Sequence, residues 1–156
     1  MKGKTVAESA TIMNHVPMPD EANVAGTLHG GFMLKHSDTA GGVAAWRHAG
    51  GPVVTASLER MDFLTPVHPG ELMTLKASVN LVGRTSMDVG VRVEVESVST
   101  GEKRHAATCY LTLVALDPHG KGKEVPPLIL ETEDDHRRHA QALERRRLRA
   151  GKKAVQ

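Results

Sequence analysis

Residues 72–96 read LMTLKASVNLVGRTSMDVGVRVEVE. From Leu72 to Val82, apolar Met73, Leu75, Ala77, Val79 and Leu81 alternate with Thr74, Lys76, Ser78 and Asn80, the two-residue period of a strand with one buried face. Met87 to Glu96 repeats the pattern, with Met87, Val89, Val91, Val93 and Val95 on one side and Asp88, Arg92, Glu94 and Glu96 on the other. Only Gly83-Arg84-Thr85-Ser86 separates the two segments, so they are expected to pair as antiparallel neighbours. Further strands are expected at about Ala106 to Leu116, after a turn at Thr100-Gly101-Glu102, at Val53 to Phe63, and at Ala7 to Val16.

One long helix, about Gly30 to Ala49 and closed by Gly50-Gly51-Pro52, lies between the first of these strands and the other four. The short connections among the last four favour a largely antiparallel sheet. A helix that is apolar nearly all round must then be wrapped by that sheet, an α+β architecture with one buried helix.

At 156 residues and 40% hydrophobic, the chain is one domain's worth and can bury a core. With two Phe, one Trp and one Tyr, that core has to be built from Val, Leu, Ala and Met. The single Cys109 rules out an internal disulfide and a cysteine-based zinc site, and no run approaches the ~18 to 20 apolar residues of a membrane helix. A cytoplasmic protein is expected, with neither a membrane nor a nucleic acid as partner. The formal net charge is only +2, and aromatics to interleave with basic residues are nearly absent. Residues from Glu131 to Lys153 are mostly charged, acidic first and then rich in arginine, the order a helix dipole prefers. They are read as a solvated tail helix, so that a folded domain spans 1–128 and a charged helical tail 129–156.

Asp38 is the one carboxylate on the long helix, sharing a face with Gly31, Leu34, Gly41, Gly42 and Ala45. Buried among small apolar residues it would need a hydrogen-bond partner or a cavity. Gly30 and Gly31 open the helix, where unpaired amides and the positive end of the dipole suit an oxygen gaining negative charge. Asn23 adds a side-chain amide able to orient water or a carbonyl. Gly31 and Asp38 are seven residues apart in the sequence, roughly 10 Å along the axis at 1.5 Å per residue. A single carbonyl touched by both therefore requires two copies of the chain, with the site at a homodimer interface.

Pro19-Asp20-Glu21-Ala22-Asn23-Val24-Ala25-Gly26, His29-Gly30-Gly31 and Asp38 together resemble the hotdog-fold acyl-CoA thioesterases of the cytosolic acyl-CoA hydrolase and YciA type. Val54-Thr55-Ala56-Ser57, Asp62-Phe63-Leu64-Thr65-Pro66-Val67 with Gly70, and Gly83-Arg84-Thr85-Ser86-Met87 continue the resemblance, which covers about residues 5 to 128. It implies an antiparallel sheet of five or six strands around the helix, and dimers commonly assembled as trimers of dimers. The implied reaction is hydrolysis of acyl-CoA to a free acid and CoA, with no metal and no organic cofactor. By position, Asn23 of one subunit and Asp38 of the other are the implied catalytic pair, with the Gly31 amide polarising the carbonyl. Thr55, Arg84, Thr85 and Ser86 resemble part of the CoA-binding surface, and His29 and Gly30 are placed with it, His29 without a proton-transfer role. His36, Cys109 and Met87 are read as packing residues. Other readings of the same resemblance are a non-catalytic acyl-CoA-binding or sensing module and a hotdog enoyl-CoA hydratase, the latter poorly matched by the Asp20 to His29 spacing.

Overall fold

The alternating stretch becomes the middle of a sheet. In the computed structural model, which describes residues 1–155, the chain runs β1 (Lys4–Thr5), α1 (Val6–Ser9), β2 (Thr11–His15), a 3-10 turn (Pro19–Glu21), α2 (Gly30–Ala49), β3 (Val53–Phe63), β4 (Leu72–Val82), β5 (Ser86–Glu96), β6 (Lys103–Ala115), β7 (Leu128–Ile129) and α3 (Glu133–Val155). Five strands form one antiparallel sheet in the order β2-β4-β5-β6-β3, and β1 pairs separately, in parallel, with β7. The rows Met73 to Val79 and Met87 to Val95 are buried, as their period requires, and join the core formed with α2, Leu111 and Leu113. A bulge between Val79 and Leu81 breaks the expected alternation: Leu81 stands opposite Asp88, away from that core, and Val82, opposite Met87, packs against it instead.

The first strand is shorter than expected. Thr5 and Glu8 form a reciprocal capping box, the Thr5 amide donating to Glu8 Oε2 at 2.6 Å and the Glu8 amide to Thr5 Oγ1 at 3.2 Å. This nucleates a helical turn over Val6–Ser9, and only Thr11–His15 remains for β2. The Thr-x-x-Glu spacing was visible in the sequence, under an apolar pattern that reads equally well as strand.

Helix α2 starts and stops where the glycines set it. Gly50 takes the left-handed conformation (φ 74°) and its amide closes on the Trp46 carbonyl at 2.8 Å. The buried stripe of the helix is Met33, Ser37, Ala40, Gly41, Ala44, Ala45, His48 and Ala49. Wrapping is therefore one-sided in a single chain. Val43 (39% exposed) and Trp46 (53%) remain on an uncovered face.

Helix and sheet approach closely at Gly41, where an added Cβ would stand 3.1 Å from Leu111 Cδ1, 3.4 Å from Val89 Cγ1 and 3.5 Å from Val91 Cγ2. Three neighbours on two central strands cannot all retreat. Gly41→Leu is therefore expected to destabilise the fold by about 1–3 kcal/mol, read as a lower urea midpoint with an unchanged slope. At Gly42 an added Cβ would meet nothing within 4 Å, and Gly42→Ala serves as the control.

Helix α3 is not a solvated tail. It lies on the outer face of the sheet, where Asp88 on β5 is only 4% exposed although its strand pattern assigned it to solvent. Asp88 accepts from Thr112 Oγ1 at 3.0 Å and from Arg146 at 3.3 Å, with Arg149 at 3.5 Å. Arg149 also reaches Glu59 at 2.6 Å, and the Arg145 guanidinium stacks 3.7 Å above the Tyr110 ring. The arginine-rich half of α3 thus answers acidic residues of β3 and β5 that are far away in sequence.

Among the described residues no helix is long and apolar enough to cross a membrane.

Candidate active site

Asp38 sits at the rim of α2 and not in the core. It is partly exposed, and its Oδ1 accepts the hydroxyl of Thr55 on β3 at 2.6 Å. The required hydrogen-bond partner is present, but it holds the carboxylate at the open edge of the sheet instead of burying it. That bond occupies one oxygen, and Oδ2 has no hydrogen-bond partner among the described residues. Beneath lies Cys109, whose thiol pKa is pushed up to about 12, mainly by burial and in smaller part by the negative charge of Asp38. Cys109 is buried and serves as a packing residue.

A cleft of about 380 Å³ opens beside Asp38, walled by Gly42, Val43 and Trp46 along α2 and by Val53, Thr55 and Leu113 on β3 and β6. The carboxylate is at one end and Trp46 two turns further along the helix, roughly 12 Å at 1.5 Å per residue. Thr55, expected as part of the CoA-binding surface, also holds Asp38. Its partnership spans 17 positions and depends on where β3 packs, which no local pattern reports.

Asn23 is held inside its own loop. Its Oδ1 accepts from the amides of Ala25 at 2.9 Å and Thr27 at 3.2 Å, while Nδ2 donates to Thr27 Oγ1 at 3.0 Å. One amide hydrogen is left over, and the side chain is exposed. Residue Thr27, absent from the sequence expectations, is what orients Asn23. At the helix start the Gly31 amide donates to the imidazole Nδ1 of its own N-cap, His29, at 3.0 Å. The amide expected to polarise a carbonyl is thus capped, by an exposed ring that has to rotate before a substrate oxygen can take its place. Gly30 admits the Phe63 ring, which stands 3.4 Å from where a Cβ would be.

Within one chain the candidates fall into two groups. Asp38 and Thr55 are together, Asn23, His29, Gly30 and Gly31 are together at the helix start, and no hydrogen bond links the groups. The turn carrying Arg84, Thr85 and Ser86 forms a third group at the head of β5. Ser86 pairs with Val114, which pairs with Val54, so this turn stands two strand spacings, about 10 Å, from the Thr55 edge. Arg84 is exposed, and Arg146 lies close to the neighbouring Gly83.

Among the described residues edge strand β3 has no partner on its outer side, and Val54 (47%), Leu58 (45%) and Phe63 (57%) are exposed along it. A long apolar edge of this kind is a template for pairing with another strand.

At the far end of α2, His48 is buried and its Nε2 donates to the Pro126 carbonyl at 2.8 Å, while Nδ1 is buried without a partner. Burial pushes its pKa below the ordinary 6.5, partly offset by the bond to Pro126. The unfolded chain therefore takes up this proton more readily than the folded one. The contribution of neutral His48 is present above the unfolded pKa and is lost as pH falls through and below it. Melting temperature is expected to drop between about pH 7 and pH 5, less steeply in His48→Gln, which keeps a donor for Pro126.

The model of the family described as the thioesterase superfamily matches residues 25–102, from the Asn23 loop through β5. The chain belongs to the thioesterase superfamily. Among relatives of this superfamily member, the uncharacterized acyl-CoA thioester hydrolase YkhA of Bacillus subtilis is 37% identical over 94% of the chain and 85% of its own length. A hexameric acyl-CoA thioesterase solved in its apo form superposes with a TM-score of 0.96 at 35% identity, covering 100% of both chains. An acyl-CoA hydrolase of Staphylococcus aureus, solved with butyryl coenzyme A and coenzyme A, superposes at 0.91 with 33% identity over 97% of this chain and 93% of that one. The Staphylococcus aureus protein has also been solved with an asparagine, an aspartate and a threonine each replaced by alanine. Those three positions are spaced in its sequence as Asn23, Asp38 and Thr55 are here.

Proposed function

We propose that this chain hydrolyses acyl-CoA thioesters to free acid and CoA, through a site shared between two subunits. The observation that carries this is the Asp38 carboxylate, fixed by Thr55 at an unpaired sheet edge and opening onto an apolar cleft. Similarity to YkhA and to the CoA-bound hydrolase supports the substrate class, and the matching spacing of the three substituted positions in that hydrolase supports the choice of residues.

Pairing of β3 with β3 of a second copy would continue the sheet and bring Asp38 to the partner's helix start. There the partner's Asn23 orients water or the thioester carbonyl, and the partner's Gly31 amide, once uncapped, stabilises the oxyanion. Asp38 Oδ2 takes a proton from water as the water oxygen attacks the carbonyl carbon. Collapse of the tetrahedral intermediate breaks the C–S bond, and Asp38 returns the proton to the departing CoA sulfur. Direct attack by the carboxylate, giving an anhydride that water then opens, uses the same geometry.

The acyl chain lies along Gly42, Val43 and Trp46. Arg84, with Thr85, Ser86 and Arg146 nearby, offers guanidinium donors for phosphates of CoA, and His29 and Gly30 border the entry. CoA enters as part of the substrate, so the reaction as drawn needs no resident cofactor. Two sites per dimer follow from symmetry, and assembly of dimers into a hexamer, as in the apo thioesterase, is the expected higher state.

Release of free thiol from acyl-CoAs of graded chain length tests this directly. The full-length protein is expected to release stoichiometric CoA thiol. Tight acyl-CoA binding without turnover would leave a binding module in its place.

A further inference from the structure

Outside the cleft, β2, the 3-10 turn and α2 bring His15, Glu21 and His36 together. His15 Nε2 lies 2.8 and 3.0 Å from the two Glu21 oxygens, and His36 Nε2 lies 3.6 Å from Oε2. The three ligand atoms are all within 4.8 Å of one another, and the imidazole rings are tilted by 31° with centroids 4.0 Å apart. Hydrogen bonding alone accounts for only part of this cluster. The carboxylate is met by His15 and by the Met18 amide, while among the described residues His36 Nε2 is buried with no hydrogen-bond partner. Leaving a buried nitrogen of this kind without a partner is unfavourable, and protonating both rings instead would set two like charges side by side.

We propose that His15, Glu21 and His36 form a site for a divalent cation of the zinc, cobalt or nickel class. Two imidazoles and one carboxylate are a borderline donor set that suits these ions and discriminates against magnesium and calcium. Bonds of ~2.0–2.2 Å in tetrahedral geometry separate ligand atoms by roughly 3.3 Å, close to the spacing between His36 and Glu21. The contact between His15 and Glu21 has to open by about half an ångström, and the rings have to splay. Both movements are side-chain torsions of His15, whose side chain is 28% exposed. Three protein ligands leave a fourth position for water.

The cation would act as a clip and not as a participant in the proposed hydrolysis. The carboxylate of Glu21 already accepts the Met18 amide at 3.2 Å, and its carbonyl accepts the amide of the N-cap His29 at 2.9 Å. Ligation therefore ties β2 and the body of α2 to the turn that leads, two residues later, into Asn23.

The test uses full-length protein stripped with a chelator and titrated with Co²⁺ and then Zn²⁺. One Co²⁺ per chain with visible absorption of a low-coordinate site is expected, displaced by Zn²⁺, and Zn²⁺ should raise the melting temperature reversibly. His15→Gln and His36→Gln should each weaken binding by more than about 100-fold, beyond what the loss of an outer hydrogen-bond partner costs. His119→Gln, on an exposed loop, should bind as the wild type does. Absence of saturable one-to-one binding by the wild type overturns the proposal, and so does unchanged affinity in the His15→Gln variant, whose partly exposed ring can be replaced with least disturbance to the fold. These readouts are independent of thiol release, so the metal site and the hydrolase reading stand or fall separately.

Discussion

Asp38→Asn is expected to lower thiol release from acyl-CoA by roughly 10²- to 10⁴-fold, the range that a positioned general base contributes. The substitution is nearly isosteric, and its side-chain oxygen can still accept the Thr55 hydroxyl that Asp38 accepts at 2.6 Å. Fold and cleft should survive, with the melting temperature close to that of the wild type. What is lost is the carboxylate whose free Oδ2, at the cleft, can take a proton from water or attack the carbonyl. Thr55→Ala keeps the carboxylate and loosens its aim, so its loss of turnover should be smaller than that of Asp38→Asn. Wild-type turnover in Asp38→Asn would remove Asp38 from the chemistry while leaving superfamily membership untouched.

Mixing two inactive variants should restore activity. If Asn23→Ala and Asp38→Ala chains re-pair at random in equal amounts, half of the dimers are mixed, and each mixed dimer carries one intact site and one doubly defective one. About a quarter of wild-type activity per chain is then expected. The physical basis is the separation within one chain. Asn23 is tied to Thr27 at the helix start, Asp38 is tied to Thr55 two turns further on, and the apolar edge of β3 is free to pair. Native mass spectrometry of the same mixture shows whether subunits exchange. Exchange without recovered turnover would rule out a site divided in this way.

Most of the fold was legible in the alternation of residues 72–96 and in the glycine-bounded helix. Strands β3 and β4 and helix α2 occupy the expected residues, because a two-residue period and a glycine stop are local signals. The first strand is shorter than its apolar pattern predicts because a competing local signal, the capping box of Thr5 and Glu8, starts a helical turn there. Helix α3 failed for a different reason. Its charges look solvated from sequence alone, and only the packed sheet sets Glu59 and Asp88 opposite Arg145, Arg146 and Arg149.

At the candidate site the division is similar. The residue types and their spacing marked Asn23, Gly31 and Asp38, and the helical rise alone separated Gly31 from Asp38. The sequence could not reveal that Thr55 holds Asp38, that His29 caps Gly31, or that His15 and His36 share Glu21. It determined periods, helix ends and which side chains carry chemistry, since these depend on neighbours a few residues apart. The tertiary structure alone decided which of those side chains meet, because the contacts join separate elements whose register follows from packing the whole sheet against α2.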